Sequence, residues 1–173
     1  VADLLQHFSD STFLWVELGL QTIHPESAAF INRGYDLDCF LHACDLLRER
    51  RVRTVVHLIM GLPGESRQDM LETVRFIARL GIWGVKFHML YIQKDTRLFQ
   101  HYCNEPFALM QREEYAAVIA DALELLPAEA VIHRVTGDGD RRLLVEPMWT
   151  LDKRKVLARI DNELALRNSY QGA

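Results

Sequence analysis

The chain is poor in several features that would decide its class at once. It has three cysteines, Cys39, Cys44 and Cys103, in 173 residues. Three cannot all pair with one another, and they read as reduced cytosolic thiols, not as a disulfide framework. Cys39 and Cys44 have four residues between them on a helix-like stretch. That spacing suits neither a zinc knuckle nor a run of cluster ligands, so both read as small apolar helix residues. No apolar run approaches the ~20 residues of a membrane span. No signal-peptide pattern is visible either, so the expected location is cytoplasmic, with no membrane partner. Positive charge is not in excess. The net charge of -4 argues against holding nucleic acid by bulk electrostatics, while leaving room for a local basic patch. Low-complexity tracts, internal repeats and flexible linkers are missing too. What remains is ordinary for a globular domain with a real core: 49% hydrophobic and 25% charged residues.

The strongest local signal is the run from His57 to Glu65, HLIMGLPGE. Val52 to Met60 is β-branched and apolar and predicts a buried strand. Gly61-Leu62-Pro63-Gly64 stops it, and Asp69 to Leu80 has helical spacing. A glycine-lined turn at the carboxyl end of a strand is where α/β proteins bind ligands. Upstream, Phe13 to Leu20 predicts another strand, followed by Gln21 and, twelve residues later, Arg33. These two are placed to close on one ligand. Glu17 shares a face with Gln21 if the strand is regular, and otherwise satisfies a buried cation.

The remaining pattern alternates. Ala2–His7, Pro25–Ile31, Leu37–Arg50, Thr96–Tyr102, Arg112–Leu126 and a segment from the Asp152 cap to Arg167 read as helices. Val85–Ile92 and Ala130–Val135 read as strands, and Asp138-Gly139-Asp140 as a turn. Arg48, Arg50 and Arg51 close the third helix, where they complement its dipole. Strand and helix in alternation predict a parallel sheet with right-handed crossovers. Along the third strand Lys86 and His88 alternate with Val85, Phe87 and Met89. The apolar set is expected to face the covering helices and the polar pair the interior. Lys86 and His88 are therefore the candidates for substrate contact or proton handling.

The ordered set WVELGLQT, INRG, HLIMGLPGE, VKFHMLYIQKDT, IHRVTGD and the closing Pro147-Met148-Trp149 and Gln171-Gly172 resembles the radical S-adenosylmethionine (SAM) superfamily. Its closest likeness is to the YhcC-like group, related to oxygen-independent coproporphyrinogen oxidase and to the catalytic subunit of Elongator. The resemblance implies an α/β fold, the C-terminal part of a partial (β/α)6 TIM-like barrel. Residues 1–110 are expected to form the barrel half and residues 111–173 a small C-terminal α/β extension. It implies a SAM cofactor and a [4Fe-4S] cluster, which together generate a 5′-deoxyadenosyl radical. It also implies a reductant such as flavodoxin or ferredoxin. The family's C-x3-C-x2-C ligand motif is not in this sequence. The expectation is accordingly a portion of a longer protein of about 300 residues, inactive by itself, with an exposed sheet edge prone to dimerise.

Carried over residue by residue, the resemblance makes Gln21, Arg33, His57, Gly61, Leu90 and Tyr91 SAM contacts. Arg33 suits the methionyl carboxylate. His57 stands where related oxidases often have aspartate, and Asp95 where close relatives often have glycine. His133, Arg134, Arg141 and Arg142 are candidates for an anionic or RNA-binding rim, and kinship leaves RNA as a possible substrate. Three rival readings remain: a metal site gathered from His57, His88 and His133; a phosphate-binding barrel with Gly61–Gly64 as the anion loop; and a non-catalytic, degenerate nucleotide- or partner-binding barrel.

Overall fold

Runs of β-branched and large apolar residues supply the strands, and capped amphipathic segments supply the helices between them. The computed structural model describes residues 1–137 and 139–173. In chain order the elements are α1 (Ala2–Ser11), β1 (Trp15–Gln21), α2 (Pro25–Phe30), α3 (Leu37–Glu49), β2 (Arg53–Met60), α4 (Arg67–Ala78) and β3 (Gly84–Met89). There follow β4 (Ile92–Gln93), α5 (Arg97–Asn104), α6 (Arg112–Leu125), β5 (Val131–Arg134), β6 (Leu144–Glu146), a 3-10 turn (Met148–Leu151) and α7 (Lys153–Arg167). Four strands form one sheet in the order β1-β2-β3-β5, every neighbouring pair parallel. The expected parallel α/β architecture is therefore present.

Local chemistry fixes the helix starts. Asp36 caps α3 by accepting from Cys39 N at 2.8 Å. Ser66 and Asp69 form a reciprocal capping box on α4. Asp152 accepts from Lys155 N at the start of α7. Strand alternation then divides the sheet. Val56, Leu58, Met60, Val85, Phe87 and Met89 join Phe40, Val74, Ile77, Tyr115, Ile119 and Ile160 in one buried core. Helix α6 packs against both α4 and α7. Its buried Tyr115 hydroxyl donates to Val135 O at 2.9 Å, as a buried phenol requires.

The structure corrects two local expectations. The third strand does not run to Ile92. It ends at Met89, Leu90 N turns back to Met60 O, and Ile92–Gln93 pairs antiparallel with Leu144–Glu146. The first strand is irregular, with a bulge between Gly19 and Gln21 and Gln21 at φ 60, so Glu17 and Gln21 do not share simple strand parity. Asp95 adopts φ 62, the left-handed backbone that a glycine there would accept more readily. Asp138 of the expected turn lies outside the described residues.

The closing Gln171-Gly172 has a structural task. The Gln171 amide donates to Pro127 O and Ala130 O, each at 2.7 Å, and so pins the loop that feeds β5. Gly172 sits at φ 78, with Ala128 N 3.0 Å from where a Cβ would be. Gln171→Ala removes the donor from Ala130 O, while Pro127 O keeps its bond from Ala130 N at 3.0 Å, and should lower stability by about 1–3 kcal/mol. Equilibrium denaturant unfolding checks this, and an unchanged midpoint would refute it.

Candidate functional site

The sheet face opposite the helical core is built in layers. At its amino end Phe13, Trp15, Trp83 and His133 pack edge to face, the His133 ring 5.0 Å from Trp83 and 5.5 Å from Trp15. Arg53 lies over the Phe13 ring at 4.3 Å. Above this layer Glu17 reaches across from β1. Its carboxylate accepts from the Trp15 indole at 3.0 Å, from Lys86 Nζ, and from His57 Nε2 at 2.8 Å. Lys86 and His88 thus lie opposite Val85, Phe87 and Met89, as the alternation predicts. Glu17, rated above as a possible partner for a buried cation, is the hub of this layer.

At the carboxyl ends of the strands a cavity of about 290 Å3 is lined by Gln21, His57, Ile59, His88, Met89, Leu90 and Tyr91. The His57 and His88 rings lie 5.5 Å apart. Burial, with His57, Arg134 and Lys86 close by, pushes His88 down to about 4. His88 Nε2 is buried without a hydrogen-bond partner. In one amide orientation Gln21 donates to the Gly19 and Leu20 carbonyls at 2.9 and 3.1 Å, which leaves its oxygen to accept from a ligand.

The other candidates lie elsewhere. Arg33 donates to Leu20 O, Thr22 O and Tyr35 O at 2.8–2.9 Å, so Nη1 braces the end of β1 and Nε the loop before α3. Gly61, at φ 86, and Gly64, at φ 84, line a separate cleft of about 640 Å3 with Phe107–Met110. Glu65 of that turn accepts from Thr22 Oγ1 at 2.6 Å, tying the turn to the end of β1. His57, His88 and His133 do not gather as a metal site, because His133 belongs to the aromatic layer. Among the described residues the one ligand-like group is His24, Asp69 and Glu72, and Asp69 is already engaged by Ser66. Of the proposed cationic rim, Arg142 is paired with Asp140 at 2.8 Å. The sequence reading passed over Tyr35, whose hydroxyl donates to Gly19 O, and Trp83. Neither position carries a motif.

Residues 1–77 match the Radical SAM superfamily, and residues 82–165 match the Radical_SAM C-terminal domain. The chain belongs to the radical SAM superfamily. Within it the likeness is to YhcC-like proteins. It is 40% identical to Bacillus subtilis (strain 168) YtqA over 172 residues, covering 99% of this chain and 53% of that protein. With Escherichia coli (strain K12) YhcC it shares 31% over 176 residues, covering 99% and 57%. The chain therefore spans about half the length of these curated relatives. A solved structure of Methanocaldococcus infernus Elp3 with an N-terminal deletion shares its fold, with a TM-score of 0.80 and 20% identity. That match covers 91% of this chain and 37% of the other. No helix among the described residues is long and apolar enough to cross a membrane.

The superfamily's chemistry does not by itself require the Glu17 hub, but the electrostatics of this face do. Glu17 is held down to about 2, chiefly by its hydrogen bond from Lys86, then by those from Trp15 and His57. A carboxyl lowered from its ordinary 4.5 stabilises the fold above that value, and the contribution is lost as pH falls from about 4.5 toward 2. The melting temperature of the wild type should fall more steeply across that window than that of Glu17→Gln. Parallel curves would contradict this account.

Proposed function

We propose that the cavity at the carboxyl ends of β1, β2 and β3 binds the adenosyl part of SAM in a radical SAM enzyme, whose substrate approaches Lys86 and His88. The observation that carries this reading is the convergence of Gln21, His57, His88, Leu90 and Tyr91 on one cavity. Strand carboxyl ends are where α/β folds of this kind take ligands. The lining fits the group. Ile59, Met89 and Leu90 offer apolar walls, Tyr91 an aromatic ring, and the Gln21 and imidazole atoms a polar edge for hydroxyls. The size is close to the ~300 Å3 lower bound of ligand pockets.

In this reading Arg33, which lines a separate cleft past the end of β1, takes the methionyl end of the ligand. Two of its nitrogens brace backbone carbonyls, and Nη2 remains for the methionyl carboxylate. SAM supplies, on reductive cleavage, a carbon radical able to abstract hydrogen from substrate. This chain's residues bind and orient SAM and shield the site from water.

The described residues do not fit the cluster. Cys39 and Cys103 are exposed on different helices. Burial pushes the Cys44 thiol up to about 11, whereas cluster ligands are thiolates. No three-cysteine group forms among the described residues. The reading therefore places cluster binding, and the reductant that serves it, outside the residues described here.

Isothermal titration with SAM tests the assignment. Arg33→Ala removes a charge-assisted contact of roughly 1.5–3 kcal/mol, so affinity should fall about tenfold or more. Gln21→Ala should lose about fivefold, as for one neutral hydrogen bond. Wild-type affinity in both variants would reject the cavity as the SAM site.

A further inference from the structure

Glu17 and His57 stand on neighbouring strands, and their side chains meet at 2.8 Å between Oε2 and Nε2. The other carboxylate oxygen, Oε1, takes the Lys86 ammonium and the Trp15 indole. Lys86 and His57 therefore do not compete for one atom. Next to an ammonium the carboxyl is ionised and can only accept hydrogen bonds. The proton in the contact must then belong to His57 Nε2. In the neutral ring this leaves Nδ1 with a bare lone pair. Among the described residues no group of the chain hydrogen-bonds Nδ1, and His57 lines the ligand cavity. A carboxylate that fixes one ring nitrogen while the ring borders a ligand site is the arrangement that readies an imidazole for proton transfer.

We propose that Glu17 and His57 form a proton-transfer dyad, in which His57 Nδ1 accepts a proton from a hydroxyl or ring N–H of the ligand in the cavity and Glu17 is the positioning residue. The step balances within the site. The ligand O–H or N–H bond breaks, an N–H bond forms at Nδ1, and the electron pair stays on the ligand atom. The positive charge that appears on the ring lies against the Glu17 carboxylate. Reverse transfer restores the starting state, and neither an oxidant nor a reductant is involved. His88 provides the contrast. It lies on the next strand, 5.5 Å from His57 between ring centroids, has no carboxylate behind it, and its Nε2 is unpartnered. Neighbouring titratable groups set in such different surroundings are the usual mark of divided acid and base roles.

The tautomer of His57 is directly measurable by nitrogen-15 NMR of histidine-labelled protein, with His57→Gln assigning the signal. At pH 8 the wild type should hold His57 with its proton on Nε2 and Nδ1 bare. Glu17→Gln keeps the size of the side chain and removes the charge, and it should release His57 to a mixture of both tautomers. A purely structural Glu17 would leave that ratio unmoved. Titration with 5′-deoxyadenosine, a probe whose choice rests on the adenosyl reading above, should shift the Nδ1 resonance. In Glu17→Gln the nucleoside should bind about tenfold more weakly. Wild-type His57 protonated on Nδ1, or a tautomer indifferent to Glu17→Gln, overturns the dyad; the first of these is read without any variant. A fixed Nε2–H tautomer that ignores the nucleoside supports the dyad and counts against the adenosyl assignment, so the two readings fail separately.

Discussion

The Glu17 carboxylate is the charge on which the open face of the sheet depends. That face holds Lys86, His57, His88, His133 and, at its edge, Arg134. Cationic or easily protonated groups crowded on a half-buried surface repel one another and lose hydration. One anion in their midst changes the balance. Glu17 accepts from Lys86, His57 and Trp15 and so neutralises the middle layer with its hydrogen bonds satisfied. His88 above it stays neutral because burial pushes it down to about 4. The cavity then holds two imidazoles side by side, one bonded to the Glu17 carboxylate and one whose Nε2 has no partner.

The strand alternation that makes such a face possible was legible in the sequence. Val85, Phe87 and Met89 against Lys86 and His88 is a period of two, and a period of two decides sides. Helix starts were legible because Asp36, Ser66 and Asp152 are capping residues at the right offsets. The β4–β6 ribbon was not. Strands of two and three residues carry no periodic signal, and their pairing depends on chain folding back from about fifty residues away. The bulge at Gln21 was hidden too. Gly19 stands beside it, but glycine in a strand marks a bulge or a close approach without saying which.

At the candidate site the legible part is what consecutive parallel strands must bring together. Gln21, His57, His88, Leu90 and Tyr91 are near the carboxyl ends of β1, β2 and β3, so they converge whatever the side-chain details. Arg33 shows where such reasoning stops. Its spacing from Gln21 suggests a shared ligand, yet Nη1 is taken by the carbonyls of Leu20 and Thr22 and Nε by that of Tyr35. Sequence spacing reports that a guanidinium is near, not which acceptor takes it. The same holds for Gly61 and Gly64. Their turn was evident, but the cleft it opens on is completed by Phe107–Met110, a segment with no pattern that announces where it packs.

The rim of the cavity is set in part by the loop after β5, which begins within the IHRVTGD segment. Tyr91 packs against the backbone of Gly137 and Gly139, where added Cβ atoms would lie 3.0 and 3.4 Å from its ring. Gly137 N also donates to Met89 Sδ at 2.7 Å, which joins the loop after β5 to the end of β3. Only glycine lets a backbone lie this close to an aromatic face. The glycines following His133–Thr136 therefore act through Tyr91: they determine how far its ring stands from Gln21 and His57, and hence the width of the site. The helical face of the sheet holds the core and the open face holds the Glu17 layer and the cavity, and this loop is where the packing of one reaches the geometry of the other.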